Sequence, residues 1–124
     1  MNTFDELNKN ESKSKRQQIL DAAYNIFSRK GFYKTTVDEI IAMADTGKGT
    51  VYNYFVNKEQ LFYTIVKEKH EPFTNKLKSI YEKDITLTEK INCMVRAFLE
   101  FYDENIGLWR ALMHEIRALS PDGY

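Results

Sequence analysis

The residues with the most legible chemistry sit in one short stretch: Lys48, Gly49, Thr50, Tyr52, Asn53 and Tyr54. A lysine can donate to the acceptors on the major-groove edge of guanine, an asparagine can pair with adenine, and a threonine methyl can touch thymine. Tyrosine hydroxyls can reach phosphate oxygens. If Val51 and Phe55 turn inward at helical spacing, these side chains form the outward face of a short helix. Gly49 costs such a helix on the order of 1 kcal/mol relative to alanine. Its missing side chain would let another backbone come close, and a DNA phosphate or sugar is the natural candidate. Elsewhere the chain offers no nucleophile beside a base, no glycine-rich phosphate loop and no metal-ligand spacing. No enzyme, metal site or cofactor is therefore expected.

A reading face of this kind must be held by a second helix. Thr36-Val37-Asp38-Glu39 is a capping box that opens a short helix bearing Val37, Ile40, Ile41 and Ala44. Asp45-Thr46-Gly47 reads as a tight turn, since Asp tolerates left-handed geometry and Gly suits an N-cap. The helix from Lys48 to Phe55 follows at once, completing a helix-turn-helix. Upstream, Ile19, Ala22, Ala23, Ile26 and Phe27 recur as one buried stripe, stopped by Lys30-Gly31. Order is expected to begin near Ser14, after a polar tail over residues 1–13. Downstream, Asn57 caps a long helix that Pro72 either kinks or divides. A second capping box, Thr86-Leu87-Thr88-Glu89, opens a fifth helix. The sixth spans about Leu108 to Leu119 and is ended by Ser120-Pro121-Asp122-Gly123.

Composition agrees with an all-α chain. Its 124 residues are 43% hydrophobic and 29% charged, and only five glycines and two prolines punctuate them, too few for a sandwich of short strands. No apolar run reaches the length of a membrane span, and the start is no signal peptide, so a cytoplasmic, nucleoid-associated protein is expected. Single Cys93 has no internal disulfide partner and is expected to be a small buried helix residue. Net charge is zero, yet residues 13–67 carry +4 while residues 1–12 and 68–124 carry −2 each. That placement suits a nucleic-acid module joined to something else.

The stretch Gly47-Lys48-Gly49-Thr50-Val51-Tyr52-Asn53-Tyr54-Phe55-Val56-Asn57-Lys58-Glu59-Gln60-Leu61 resembles the signature of the tetracycline-repressor (TetR) family of bacterial transcription regulators. Arg16 to Ala23, Phe27, Gly31-Phe32 and Thr35 to Ile40 resemble the same family's first two helices, in register. The resemblance covers about residues 14–74 and implies a three-helix DNA-binding domain there. Residues 75–124 would begin a helical effector-binding and dimerisation domain, expected to be truncated because family members are usually much longer. The resemblance also implies a repressor that binds double-stranded operator DNA as a homodimer and is released by an unknown small-molecule effector. Carried over residue by residue, it implies that Thr36 and Tyr52 hold phosphates, that Lys48, Thr50, Asn53 and Tyr54 face bases or nearby backbone, and that Lys58 anchors a phosphate. Asp45-Thr46-Gly47 departs from the family's usual Gly-Val-Ser, with Thr46 at the junction of the two helices.

In the C-terminal part, Met94, Phe98, Tyr102, Trp109 and Met113 are candidates for the wall of an effector pocket, being soft and aromatic at helical spacing. The same residues would serve equally in an ordinary core. An apolar strip along helices 5 and 6 is expected to lie exposed. The other functional class open to these residues is a helical protein-interaction module without DNA binding, which would lack salt-dependent affinity for duplex DNA.

Overall fold

A computed structural model describes the backbone of residues 3–119 and the side chains of residues 15–118. Six helices account for the described secondary structure: α1 (Thr3–Lys30), α2 (Val37–Ala44), α3 (Lys48–Tyr54), α4 (Lys58–Glu82), α5 (Leu87–Glu104) and α6 (Ile106–Leu119). The all-α expectation holds. Helical backbone runs from Thr3, ahead of the start expected near Ser14. Residues 3–13 contain neither glycine nor proline, so nothing local interrupts the helix. Pro72 does not divide the fourth helix, which passes through it. The sixth begins at Ile106, two residues earlier than its apolar pattern indicates. Ser120 to Gly123 lie outside the described residues.

The caps form as their side chains dictate. In both capping boxes the threonine hydroxyl accepts a backbone N–H three residues on, at 3.2 Å from Glu39 and 3.2 Å from Glu89, while each glutamate reaches back. Asn57 Oδ1 accepts the Gln60 N–H at 2.8 Å. Gly31 ends α1 with φ of +81°, and Asp45 ends α2 in the left-handed region at φ of 53°.

Helix α1 is the hub, packing against α2, α4 and α6, while α4 also lies along α5. Ile19, Ala23, Ile26 and Phe27 from α1 meet Ile40 and Ala44 from α2, Val51 and Phe55 from the α3 region, and Leu61, Phe62 and Ile65 from α4 in one buried cluster. Phe27, Phe32 and Phe62 form an aromatic knot, with Phe27 edge-on to Phe62 at 5.3 Å between ring centroids. Leu108 and Ala111 of α6 are buried in the same cluster, so α6 and the first three helices share a core. Cys93 is only half-buried, which corrects the expectation of a buried thiol: Ala97 is the residue that α5 buries.

Helix α5 carries the exposed strip expected of it. Ile91, Val95, Phe98, Leu99 and Tyr102 are exposed, as are Met113 and Ile116 on α6. No helix among the described residues is long and apolar enough to cross a membrane.

Candidate nucleic-acid interface

Helix α3 is positioned from beneath. Val51 is 1% exposed and Phe55, its C-cap residue, 3% exposed, so the short helix is pinned along one side to Ile40 and Ala44. The left-handed backbone at Asp45 turns the chain sharply enough for only three residues to separate α2 from α3. With that side pinned, Lys48, Gly49, Tyr52 and Asn53 are exposed and Thr50 is half-buried. Tyr52 is 43% exposed, on the outward face expected of it. Tyr54 is half-buried, packed against the core with its ring 6.4 Å from that of Phe55.

Thr36 is exposed at the start of α2. Its oxygen is occupied by the Glu39 N–H, which leaves the hydroxyl proton to donate to an anion. Glu39 bonds the Lys30 ammonium, and that contact, followed by the Thr36 N–H, holds its carboxyl below the ordinary glutamate value. No ion pair engages Lys48 among the described residues.

Lys58 is placed otherwise than as a free phosphate anchor. Its ammonium donates to the Phe32 carbonyl at 2.9 Å and lies 4.3 Å from the centroid of the Phe32 ring. The side chain thus ties the first turn of α4 to the α1–α2 turn, with two of three ammonium protons left over. Arg16, in the basic stretch before α1's buried stripe, is likewise engaged, by Glu68 at 2.6 Å.

Three structural contacts had no sequence signal in spacing or type. Thr35, 1% exposed, donates its hydroxyl to the Gly31 carbonyl at 2.6 Å and satisfies the end of α1. Tyr24 donates to Asn105 Oδ1 at 3.0 Å, joining α1 to the α5–α6 junction. Gly107 brings α6 against α1 so closely that a Cβ there would lie 2.8 Å from Ser28 Cβ.

The five effector-pocket candidates do not enclose one cavity among the described residues. Met94 is half-buried, while Phe98, Tyr102 and Met113 are exposed. Tyr102 and Trp109 come together at 6.3 Å, whereas Phe98 meets Phe73 of α4 at 6.2 Å. Trp109 alone of the five lines a small apolar void of about 20 Å³, beside Phe101 and Leu112. Its Nε1–H is buried without an acceptor among the described residues. A larger cleft of about 440 Å³ between α1, α4 and α5 is lined by Tyr24, Phe73, Phe101 and charged side chains, and by none of the five. No group of His, Cys, Asp and Glu among the described residues could hold a metal ion.

Comparison with known proteins agrees with this architecture. Residues 19–65 match the sequence model of the family described as bacterial regulatory proteins, tetR family. The chain is 33% identical over 87 residues to the uncharacterized HTH-type transcriptional regulator YhgD of Bacillus subtilis, covering 70% of this chain and 46% of that protein. It is 30% identical over 102 residues to the HTH-type transcriptional regulator QacR of Staphylococcus aureus, covering 72% of this chain and 54% of the relative. The solved structure of a TetR-like transcriptional regulator from Rhodococcus sp. RHA1 superposes with a TM-score of 0.70 at 30% identity, covering 79% of this chain and 54% of that one. The chain spans about half the length of the curated relatives it matches. It carries the N-terminal domain of bacterial regulatory proteins of the tetR family.

Proposed function

We propose that the chain is the DNA-reading part of a transcriptional repressor, cytoplasmic and nucleoid-associated, that places α3 in the major groove of operator DNA. The observation that carries this reading is the division of α3 into two sides. Val51 and Phe55 anchor it in the core, while Lys48, Tyr52 and Asn53 stand exposed. Asn53 and Lys48 have the donors and acceptors to read base edges, and Thr50 is their neighbour for a thymine methyl. Thr36 and Tyr52 supply hydroxyls for the phosphates on either side. Lys58 contributes charge near the backbone through its remaining protons, but its first role is structural.

So short a recognition helix makes few contacts, so specificity depends on two copies reading a symmetric site. Release would follow from a small-molecule effector bound among the helices after α4. Tyr102 and Trp109, which come together, would form part of its wall, with Met94, Phe98 and Met113 as further candidates on the same two helices. The unpartnered Trp109 Nε1–H supports that reading, because a buried donor calls for an acceptor.

Selection of bound duplexes from random sequence tests the proposal. A symmetric consensus is expected, and Asn53→Ala should relax one base pair in each half-site, at a cost of about 1–3 kcal/mol if the contact is bidentate. Tyr52→Phe combined with Lys48→Ala should weaken binding and reduce its salt dependence. The absence of salt-dependent duplex binding would leave the protein-interaction reading in its place.

A further inference from the structure

A cleft of about 330 Å³ opens at the seam between the α1–α2 turn and α6, lined by no residue of α3. Its charged lining is entirely basic: Arg29, Lys30 and Lys34 on one side, Arg110 on the other, with His114 beside it and no carboxylate. Two of these cations have structural partners. Lys30 is paired with Glu39, and Arg29 lies in the last turn of α1, where a cation offsets the helix dipole. Lys34 and Arg110 have neither explanation. Both are exposed, and no ion pair engages either among the described residues.

The two walls are held in place by packing. Gly107 seats the α6 backbone on Ser28, one turn before Arg110, and the Tyr33 ring meets His114 edge-on at 6.2 Å. Lys34 and Arg110 therefore line one cleft from two elements, and an anion between them would meet both charges. A guanidinium and an ammonium on facing walls suit a phosphoryl group, whose oxygens accept from several directions: Arg in bidentate fashion, Lys as a point charge.

We infer that this cleft binds a phosphoryl group between Arg110 of α6 and Lys34 of the α1–α2 turn. The group can belong to the duplex backbone flanking the stretch that α3 reads, since Lys34 lies two residues before Thr36, or to a free phosphorylated molecule. The first source rests on the proposed DNA binding; the second does not. Either occupant would bridge α6 and the turn that leads into α2, so its binding would respond to any shift of α6 on α1.

Two measurements on the full chain, each made with the wild type, Lys34→Gln/Arg110→Gln and the charge-keeping Lys34→Arg/Arg110→Lys, decide the matter. One is calorimetric titration with pyrophosphate at constant ionic strength. The other is the salt dependence of binding to duplexes carrying the selected site with short and with long flanks. A free phosphorylated source predicts pyrophosphate affinity that falls at least about tenfold in the glutamine variant and persists in the charge-keeping one, with unchanged DNA salt dependence. A backbone source predicts that the glutamine variant loses about 0.9 from the salt slope per contact, only on long flanks. Pyrophosphate affinity and salt slope both unchanged in the glutamine variant overturn the proposal, whether or not the wild type binds pyrophosphate. If the chain binds no duplex at all, the DNA reading fails, and the pyrophosphate titration still decides the cleft.

Discussion

The Lys58 ammonium donates to the Phe32 carbonyl at 2.9 Å while lying over the Phe32 ring, so the first turn of α4 is fastened to the turn between α1 and α2. Phe32 is itself part of the aromatic knot with Phe27 and Phe62. One lysine thus links the helix that leaves the reader to the loop that leads into it. Lys58→Met, which keeps the stem and removes the donor, is expected to lower unfolding free energy by about 1–2 kcal/mol, since a charged donor to a partly buried carbonyl is lost. The salt slope of duplex binding should fall by less than the 0.9 or so of a full phosphate contact. Urea unfolding and a salt series measure both. A full loss of slope with unchanged stability would make Lys58 a phosphate anchor only.

Gly49 and Gly107 are both helical glycines, and they should respond in opposite senses. A Cβ at Gly49 meets nothing within 4 Å, so Gly49→Ala is expected to stabilise the free chain by up to about 1 kcal/mol through helix propensity. Duplex binding should weaken in the same variant if a phosphate or sugar approaches there. Stabilisation with full affinity would show that the glycine is not needed for DNA.

At Gly107 the added carbon would lie 2.8 Å from Ser28 Cβ and 2.9 Å from the Ser28 carbonyl oxygen, both fixed parts of α1. Gly107→Ala is expected to destabilise by about 1–3 kcal/mol, as overpacking does. Denaturation of the two alanine variants side by side tests the contrast. A Gly107→Ala protein as stable as the wild type would mean that α6 can shift on α1 at little cost.

Glu39 ties the start of α2 to Lys30 and to the Thr36 N–H, and these bonds favour its charged form. Its folded pKa is lowered, so the unfolded chain binds the proton more readily, and the stabilisation is fully present above the ordinary glutamate value. It is lost as pH falls through the lower folded value. Glu39→Gln should therefore be less stable than the wild type at neutral pH, with the difference closing on acidification. A gap that does not change with pH would remove the charge from the explanation.

Thr35 is polar, 1% exposed, and its hydroxyl reaches the Gly31 carbonyl at 2.6 Å. Thr35→Val keeps the shape and leaves that carbonyl without its bond, and is expected to cost about 1–2 kcal/mol in unfolding free energy. A valine variant of unchanged stability would show that water reaches the carbonyl instead.

The elements and their facing follow from residues close together in the chain. The capping boxes at Thr36 and Thr86, the stop at Gly31 and the left-handed turn at Asp45 are local chemistry, written in adjacent residues. The buried stripe from Ile19 to Phe27 and the inward pair Val51 and Phe55 follow from helical periodicity alone, which is why the exposed side of α3 was legible in advance. Tertiary structure decided what depends on distant partners. Lys58 has the same sequence context whether it meets a phosphate or the Phe32 carbonyl 26 residues away, and no periodicity encodes that choice. Gly107 reads as a helix weakness until Ser28 is set against it. Phe98 and Tyr102 have the spacing of a core stripe, yet they are exposed because burial requires a facing helix, and nothing in their own segment supplies one.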